Sequence, residues 1–148
     1  MSVRPALKSS RCSHSVIPPF DEHGFLPSGV HLATLDEIDA RFGRQSELRR
    51  AQMDSVRWIV ELAVRAGVER IVLNGSFVTD IMDPNDVDCM LLLAADYPRD
   101  AEAADDLAKG LPFLDAARVD EQEFDRLVHR FFATDRQGMA KGVVEVSL

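Results

Sequence analysis

The chain has 148 residues, of which 46% are hydrophobic and 28% are charged, and its 17 Lys and Arg against 25 Asp and Glu give a formal net charge of −8. A chain of this length buries enough surface for one hydrophobic core but not for two well-formed domains. The acidic balance argues against general DNA binding, because a non-specific grip on nucleic acid needs many Lys and Arg at the phosphates.

Disulfides and membrane spans are not expected either. The two cysteines, Cys12 and Cys89, have no metal-ligand spacing, so neither a disulfide framework nor a zinc site is predicted. The longest apolar run, Met90–Ala95, is too short to cross a bilayer, and the first residues lack the apolar stretch of a secretory signal. We therefore expect a soluble cytoplasmic protein with no membrane partner.

The beginning of the chain differs in composition from the rest. It contains Arg4, Lys8 and Arg11, no acidic residue and several serines. Such a segment offers too little apolar surface to offset the entropy lost on ordering it. We expect residues 1–16 to form a mobile arm and residues 17–148 to form a single domain.

A turn-rich loop over residues 21–29 precedes the first predicted helix, which spans about 35–42. Thr34 is its expected N-cap, and Glu37 is placed to reach back and complete a capping box. Gly43 is expected to end the helix.

The longest predicted helix spans 46–66, where apolar residues recur at three- and four-residue steps up to Gly67. Its Arg57, Glu61 and Arg65 are spaced at i, i+4 and i+8. This spacing favours a solvated face of charges paired along the helix over a phosphate-binding patch.

The remainder of the chain alternates strands with helices. Strands are predicted at 70–74, 86–93, 113–119 and, as an edge strand, 143–146; helices are predicted at about 99–109 and 120–132. This order predicts a layered domain of the α+β or α/β class.

A Gly75-Ser76 pair follows the first of these strands directly. Such a pair is able to turn its backbone N–H groups and hydroxyl toward a polyphosphate, because glycine lets the main chain approach closely. The competing interpretation is an ordinary turn, which a lone Gly-Ser pair usually is.

Asp86 and Asp88 lie two residues apart on the next strand, so both side chains project from one face with Cα atoms roughly 6.6 Å apart. Carboxylates at this spacing suit shared Mg²⁺ or Mn²⁺ ions. The alternative is a turn over residues 83–86 followed by a solvated Asp88. Asp88, however, heads the apolar run 89–93, where an ionised carboxylate is costly without a cation or partner.

These residues resemble a known family. Gly75-Ser76 followed by Asp86-x-Asp88 resembles the signature of the DNA polymerase β-type nucleotidyltransferase superfamily, specifically its small prokaryotic members. Segments 17–27 and 134–142 are similar to a family of uncharacterised bacterial proteins usually described as nucleotidyltransferase-like. The resemblance implies an α+β fold with a small mixed sheet flanked by helices, an NTP substrate, and transfer of an NMP to a hydroxyl on a protein, an RNA or a small molecule.

The resemblance also assigns roles to residues. Gly75 and Ser76 would bind the outer phosphates of the nucleotide, and Asp86 and Asp88 would bind two Mg²⁺ (or Mn²⁺) ions. A third catalytic, metal-binding carboxylate is expected on the next core strand.

Asp115 and Asp120 are the two candidates for that third carboxylate. If the helix at 99–109 is a crossover, strand 113–119 runs parallel to strand 86–93, and its beginning lies at the metal end. Asp115 is therefore preferred, with a solvated strand-edge aspartate as the alternative. Asp120 lies at the opposite end and is better explained as the cap of the following helix.

The chain departs from the superfamily pattern at one informative place, since Thr79 and Asp80 occupy positions where many minimal members have a basic pair. Arg136 and Lys141 are candidates to supply the missing positive charge at the nucleotide, although both are equally interpreted as loop residues before the last strand. The alternative function is a non-catalytic interaction protein with this fold, such as one component of a toxin-antitoxin pair, which would bind a protein partner.

Overall fold

The computed structural model describes residues 17–133 and 141–148. The arm predicted over residues 1–16 and the candidate Arg136 lie outside the described residues. Within them the chain is α+β, with a five-stranded mixed sheet and four α-helices. None of the described helices has the length and apolar character needed to cross a membrane.

The elements follow one another along the chain with short connections. In order they are β1 (Val30–Ala33), α1 (Leu35–Phe42), α2 (Glu47–Ala66), β2 (Val68–Asn74), a short 3-10 turn (Gly75–Val78), β3 (Val87–Leu93), α3 (Ala101–Lys109), β4 (Leu114–Val119), α4 (Glu121–Ala133) and β5 (Val143–Val146). The sheet order is β1-β5-β2-β3-β4, with β1 parallel to β5, β3 parallel to β4, and the other pairs antiparallel. The predicted α+β class is confirmed.

The predicted ends of the first two helices are also confirmed. At α1, Glu37 N–H donates to Thr34 Oγ1 at 3.1 Å while Thr34 N–H donates to Glu37 Oε1 at 2.8 Å, a complete capping box. At α2, Ser46 Oγ accepts the Arg49 N–H at 3.1 Å, and Gly67 ends the helix with a left-handed φ of 104°.

The prediction that strand 143–146 lies at the edge of the sheet is wrong. This strand, β5, lies between β1 and β2, and β1 forms the edge. The sequence did not indicate β1, because its pairing runs from Val30 to Val143 and from Ala33 to Val146, at opposite ends of the chain. A four-residue strand with so distant a partner leaves no local periodicity.

The predicted pairing of charges along α2 is wrong as well. Arg57 bonds Asp39 of α1 at 2.8 Å, and Arg65 pairs with Asp100, the N-cap of α3, at 3.3 Å. The carboxylates of neighbouring elements lie across from α2, so these arginines connect separate helices and do not use Glu61 as their partner.

The two faces of the sheet are covered differently. We call the side packed by α2 and α3 the α2 face; its buried strand residues include Ile71, Leu73, Val87, Cys89 and Leu91. We call the opposite side the α4 face; its buried strand residues include Val72, Met90, Leu92 and Val119, which pack with Phe124 and Val128 of α4. Because strand side chains alternate, Asp88 shares the α4 face with Met90.

Candidate functional site

Asp115, the preferred candidate for a third carboxylate, lies beside Asp88 in the sheet. In the register of the sheet Asp88 lies opposite Asn74 on β2 and opposite Asp115 on the parallel strand β4, so these side chains project from the same face. The crossover through α3 that was expected from sequence is confirmed. Asp120 lies beyond the other end of β4, where its Oδ1 accepts the Glu123 N–H at 2.8 Å and caps α4, as predicted.

Gly75 lies directly against Asp88. Its φ of 82° is left-handed, and a Cβ at this position would overlap the Asp88 carboxylate, so only glycine fits. The next hydroxyl, Ser76 Oγ, accepts the Asn85 N–H at 2.9 Å. The turn at Gly75 and the segment that leads into Asp86 are therefore joined by one hydrogen bond.

The Asp88 carboxylate is half-buried and lies near two further carboxylates, those of Asp86 and Asp115. Burial, together with the negative charges of Asp115 and, more weakly, Asp86, raises its pKa above the usual value, while Lys141 opposes the shift. Within residues 17–133 and 141–148, no hydrogen bond or ion pair reaches this carboxylate. A bound cation would relieve the repulsion.

Lys141 is the one C-terminal candidate that the structure describes. It is half-buried immediately before β5, close enough to Asp88 to lower the pKa of that carboxyl. Its ammonium also lies 5.7 Å from the centroid of the Phe25 ring. The fold thus brings a basic residue from the end of the chain toward the aspartates, although it is also a loop residue before the last strand.

A cavity of about 170 Å³ lies between the aspartates and α4. Asn74, Asp88 and Asp115 form its polar side, and Met90 and Leu127 contribute apolar surface. Sequence reasoning missed Asn74 and Leu127; the position of Asn74, as the last strand residue before Gly75, was the available signal.

Two further polar residues near the site were also missed. Arg49 and Gln52 of α2 are 2% and 1% exposed, although arginine is rarely buried so completely. The signal was the spacing: Arg49, Gln52 and Val56 follow one another at steps of three and four residues, which places all three on the buried side of the helix. Both side chains contact the segment between the Ser76 turn and Asp86.

The aspartates fit a divalent cation in donor type. Carboxylate oxygens are the ligands of Mg²⁺ and Mn²⁺, and Asp88 with Asp115 supplies two of them from matched positions. Asp86 is exposed in a bend before β3 and acts on Asp88 more weakly. As the side chains stand, no three His, Cys, Asp or Glu residues of the described ranges converge into a formed metal cluster.

Comparison with known proteins places the chain in a family but not beside a characterised protein. No curated protein and no solved structure matches it. A model described as "Family of unknown function (DUF6932)" matches residues 18–147, nearly the whole length. The chain belongs to this family of unknown function, DUF6932.

Proposed function

We propose that this protein is a metal-dependent nucleotidyltransferase with the fold of the small DNA polymerase β-type enzymes, transferring an NMP from an NTP to a hydroxyl acceptor. The observation that carries the proposal is the meeting of Gly75, Asp88 and Asp115 on one face of the sheet. Three separate elements supply these residues, and their chemistry matches the phosphate and metal sites of such an enzyme.

The chain's own groups divide the work. Gly75 and Ser76 bind the outer phosphates, since the left-handed glycine lets the backbone approach them closely. Asp86, Asp88 and Asp115 would hold Mg²⁺ or Mn²⁺, and the bound ion would supply activation of the acceptor hydroxyl and charge stabilisation of the departing pyrophosphate.

In the reaction the acceptor oxygen forms a bond to the α-phosphorus while the bond from that phosphorus to the bridging oxygen breaks. Pyrophosphate leaves with the bonding electrons. The exposed carboxylate of Asp115 accepts the proton of the hydroxyl. Lys141, which is near enough to Asp88 to lower the pKa of its carboxyl, adds positive charge near the leaving group.

The acceptor approaches from the open edge of the sheet. β4 is the last strand, and its residues 115–118 are exposed. The adjoining cavity of about 170 Å³ is smaller than a pocket for a whole drug-sized ligand, which takes about 300–1,000 Å³. This geometry suits a hydroxyl presented by a larger molecule, such as a protein or an RNA end.

The test is transfer of label from each of the four NTPs in the presence of Mg²⁺ or Mn²⁺ and cell extract. Wild type transfers label, and Asp88→Asn does not. Asp120→Asn is the matched control: it neutralises an aspartate beyond the opposite end of β4 while keeping a good N-cap residue, so transfer persists. Folded wild type that transfers label from none of the NTPs contradicts the proposal.

One observation favours the non-catalytic alternative. Thr79, where minimal members often have a basic residue, is 2% exposed, and Thr79 Oγ1 donates to the Ser76 carbonyl at 2.7 Å. A partner-binding protein with this fold would retain its complex in Asp86→Asn and Asp88→Asn. Loss of the cellular phenotype in these variants while the complex still forms rules that alternative out.

A further inference from the structure

Two buried polar side chains on α2 lie beneath the loop of residues 77–85, which connects the Ser76 turn to Asp86. Arg49 and Gln52 are three positions apart, so they lie on the same side of the helix. Both are almost completely buried, and buried polar groups need hydrogen-bond partners. Nearly all of their partners belong to this one loop.

Arg49 holds the first half of the loop. Its guanidinium donates to the carbonyls of Phe77 and Thr79, each at 2.8 Å, and twice to that of Ile81, at 2.6 and 3.2 Å. A further bond of 2.9 Å reaches Phe42 at the end of α1. Among the described residues no carboxylate forms an ion pair with it, so its donors serve backbone carbonyls.

Gln52 holds the second half. Its Nε2 donates to the carbonyls of Pro84 at 3.1 Å and Asn85 at 2.6 Å. Asn85 in turn donates its N–H to Ser76 Oγ, so the residue before Asp86 is fixed from both sides. Among the described residues Gln52 Oε1 has no hydrogen-bond partner, so the hydrogen bonds of this amide are the two that Nε2 donates to the loop.

The tip of the loop has little else to hold it. Ile81 is 46% exposed and Met82 is 62% exposed, so apolar packing contributes little there. The chain between residues 79 and 86 also forms no helix or strand. The conformation of the loop therefore depends mainly on hydrogen bonds from α2 and from its N-cap Ser46, whose Oγ donates to the Met82 carbonyl at 3.4 Å, beside one bond of 3.1 Å from the Asp80 N–H to the Gly24 carbonyl.

We infer that Arg49 and Gln52 are positioning residues, which fix Ser76 and Asp86 relative to each other so that both act on the same nucleotide. The inference rests on the proposed function. Neither side chain touches the reacting atoms; each acts through the backbone of the loop. A displacement of about 1 Å at a catalytic group is enough to cost roughly 100-fold in rate.

The experiment compares Gln52→Met and Arg49→Lys with wild type in Mn²⁺ affinity and in kcat and KM for label transfer, well below the Tm of each. Gln52→Met keeps the length of the side chain and removes both the donors and the unpartnered oxygen, so we expect it to fold. We expect its kcat to fall roughly 100-fold and its Mn²⁺ binding to weaken, because Asp86 loses its anchor. Arg49→Lys keeps the charge but loses the fork of donors, and its KM for NTP rises.

The matched control is Arg57→Gln. Arg57 belongs to the same helix, but in the wild type it bonds Asp39 of α1 and not the loop. It keeps wild-type kcat/KM even if its Tm falls as far as that of Gln52→Met. If kcat/KM stays near the wild-type value in both Gln52→Met and Arg49→Lys, the positioning role is wrong while the proposed function stands. The same holds if Arg57→Gln loses as much kcat/KM as these two variants. Wild type that neither binds Mn²⁺ nor transfers label overturns the proposed function, and the inference with it.

Discussion

The two faces of the sheet are built from the same strands but differ in role: the α2 face packs the core, and the α4 face carries the candidate site. Val87 is fully buried on the α2 face, whereas Asp88, the next residue, is half-buried on the α4 face. Among the described residues several helices pack on the first face and α4 alone packs on the second, where a cavity lies beside Asp88 and Asp115. The alternation of a strand thus lets adjacent residues build the core and the candidate site.

A second contrast lies within the α4 face itself. Arg70 donates to both carboxylate oxygens of Glu145, at 2.9 and 2.7 Å, and its guanidinium lies 4.7 Å from the centroid of the Phe124 ring. Here the protein neutralises its own charge. At the other end no described residue forms a hydrogen bond or ion pair with the Asp88 carboxylate, and Lys141 opposes the rise of its pKa.

The largest expected effect separates activity from stability. Asp88→Asn lowers label transfer by about 1,000-fold or more, because it removes a metal ligand from the reaction. Without divalent cations its Tm matches or exceeds that of wild type, since the neutral amide no longer repels Asp115. Thermal unfolding and label transfer on the same preparation test this pairing. A large loss of Tm would show that Asp88 stabilises the fold, and the two faces would then not differ in the way described above.

On the α2 face the expected result is the reverse. Leu91 is 1% exposed and packs in the core under α2. Leu91→Ala lowers the free energy of unfolding by about 2–5 kcal/mol, because the substitution leaves a cavity. Urea unfolding measures the loss, and transfer per folded molecule at low temperature stays near wild type. A cost below about 1 kcal/mol would mean that this face is not the packed one.

The bidentate ion pair of Arg70 with Glu145 on the α4 face gives a smaller effect. Arg70→Lys loses one of two parallel hydrogen bonds and the stacking on Phe124, and we expect a cost of about 1 kcal/mol in urea unfolding. Arg99→Lys is the control, because Arg99 makes a similar fork with Asp96 at 2.8 and 3.1 Å, with both side chains more than half exposed. We expect no measurable loss in that control, because water screens an exposed ion pair. Equal losses of unfolding free energy in Arg70→Lys and Arg99→Lys would show that the burial of Glu145 and the contact with the Phe124 ring do not strengthen the Arg70 pair.

What the sequence predicted was local chemistry and its immediate neighbours. Thr34 and Gly67 are positioned by caps that lie within a few residues, and Asp115 follows from a single crossover. Arg49 could not be assigned in this way, because its partners are backbone carbonyls about 30 positions further along the chain, and an arginine in an amphipathic helix is expected at the surface. The predicted edge position of strand 143–146 failed for the same reason, since its pairing with β1, near the other end of the chain, places it inside the sheet.

The smallest expected effect compares two aspartates whose pKa values shift in opposite directions. The hydrogen bond from Arg57 lowers the pKa of Asp39, so its contribution to stability is present above the usual pKa of 3.8 and is lost as the pH falls. Asp39→Asn therefore costs up to about 1 kcal/mol at neutral pH and progressively less in acid. For Asp88 the pKa is raised, so wild type loses stability relative to Asp88→Asn as the pH rises. Tm measured for the three proteins from about pH 3 to about pH 7 without divalent cations gives opposite slopes; parallel slopes would mean that Asp88 is as well compensated as Asp39.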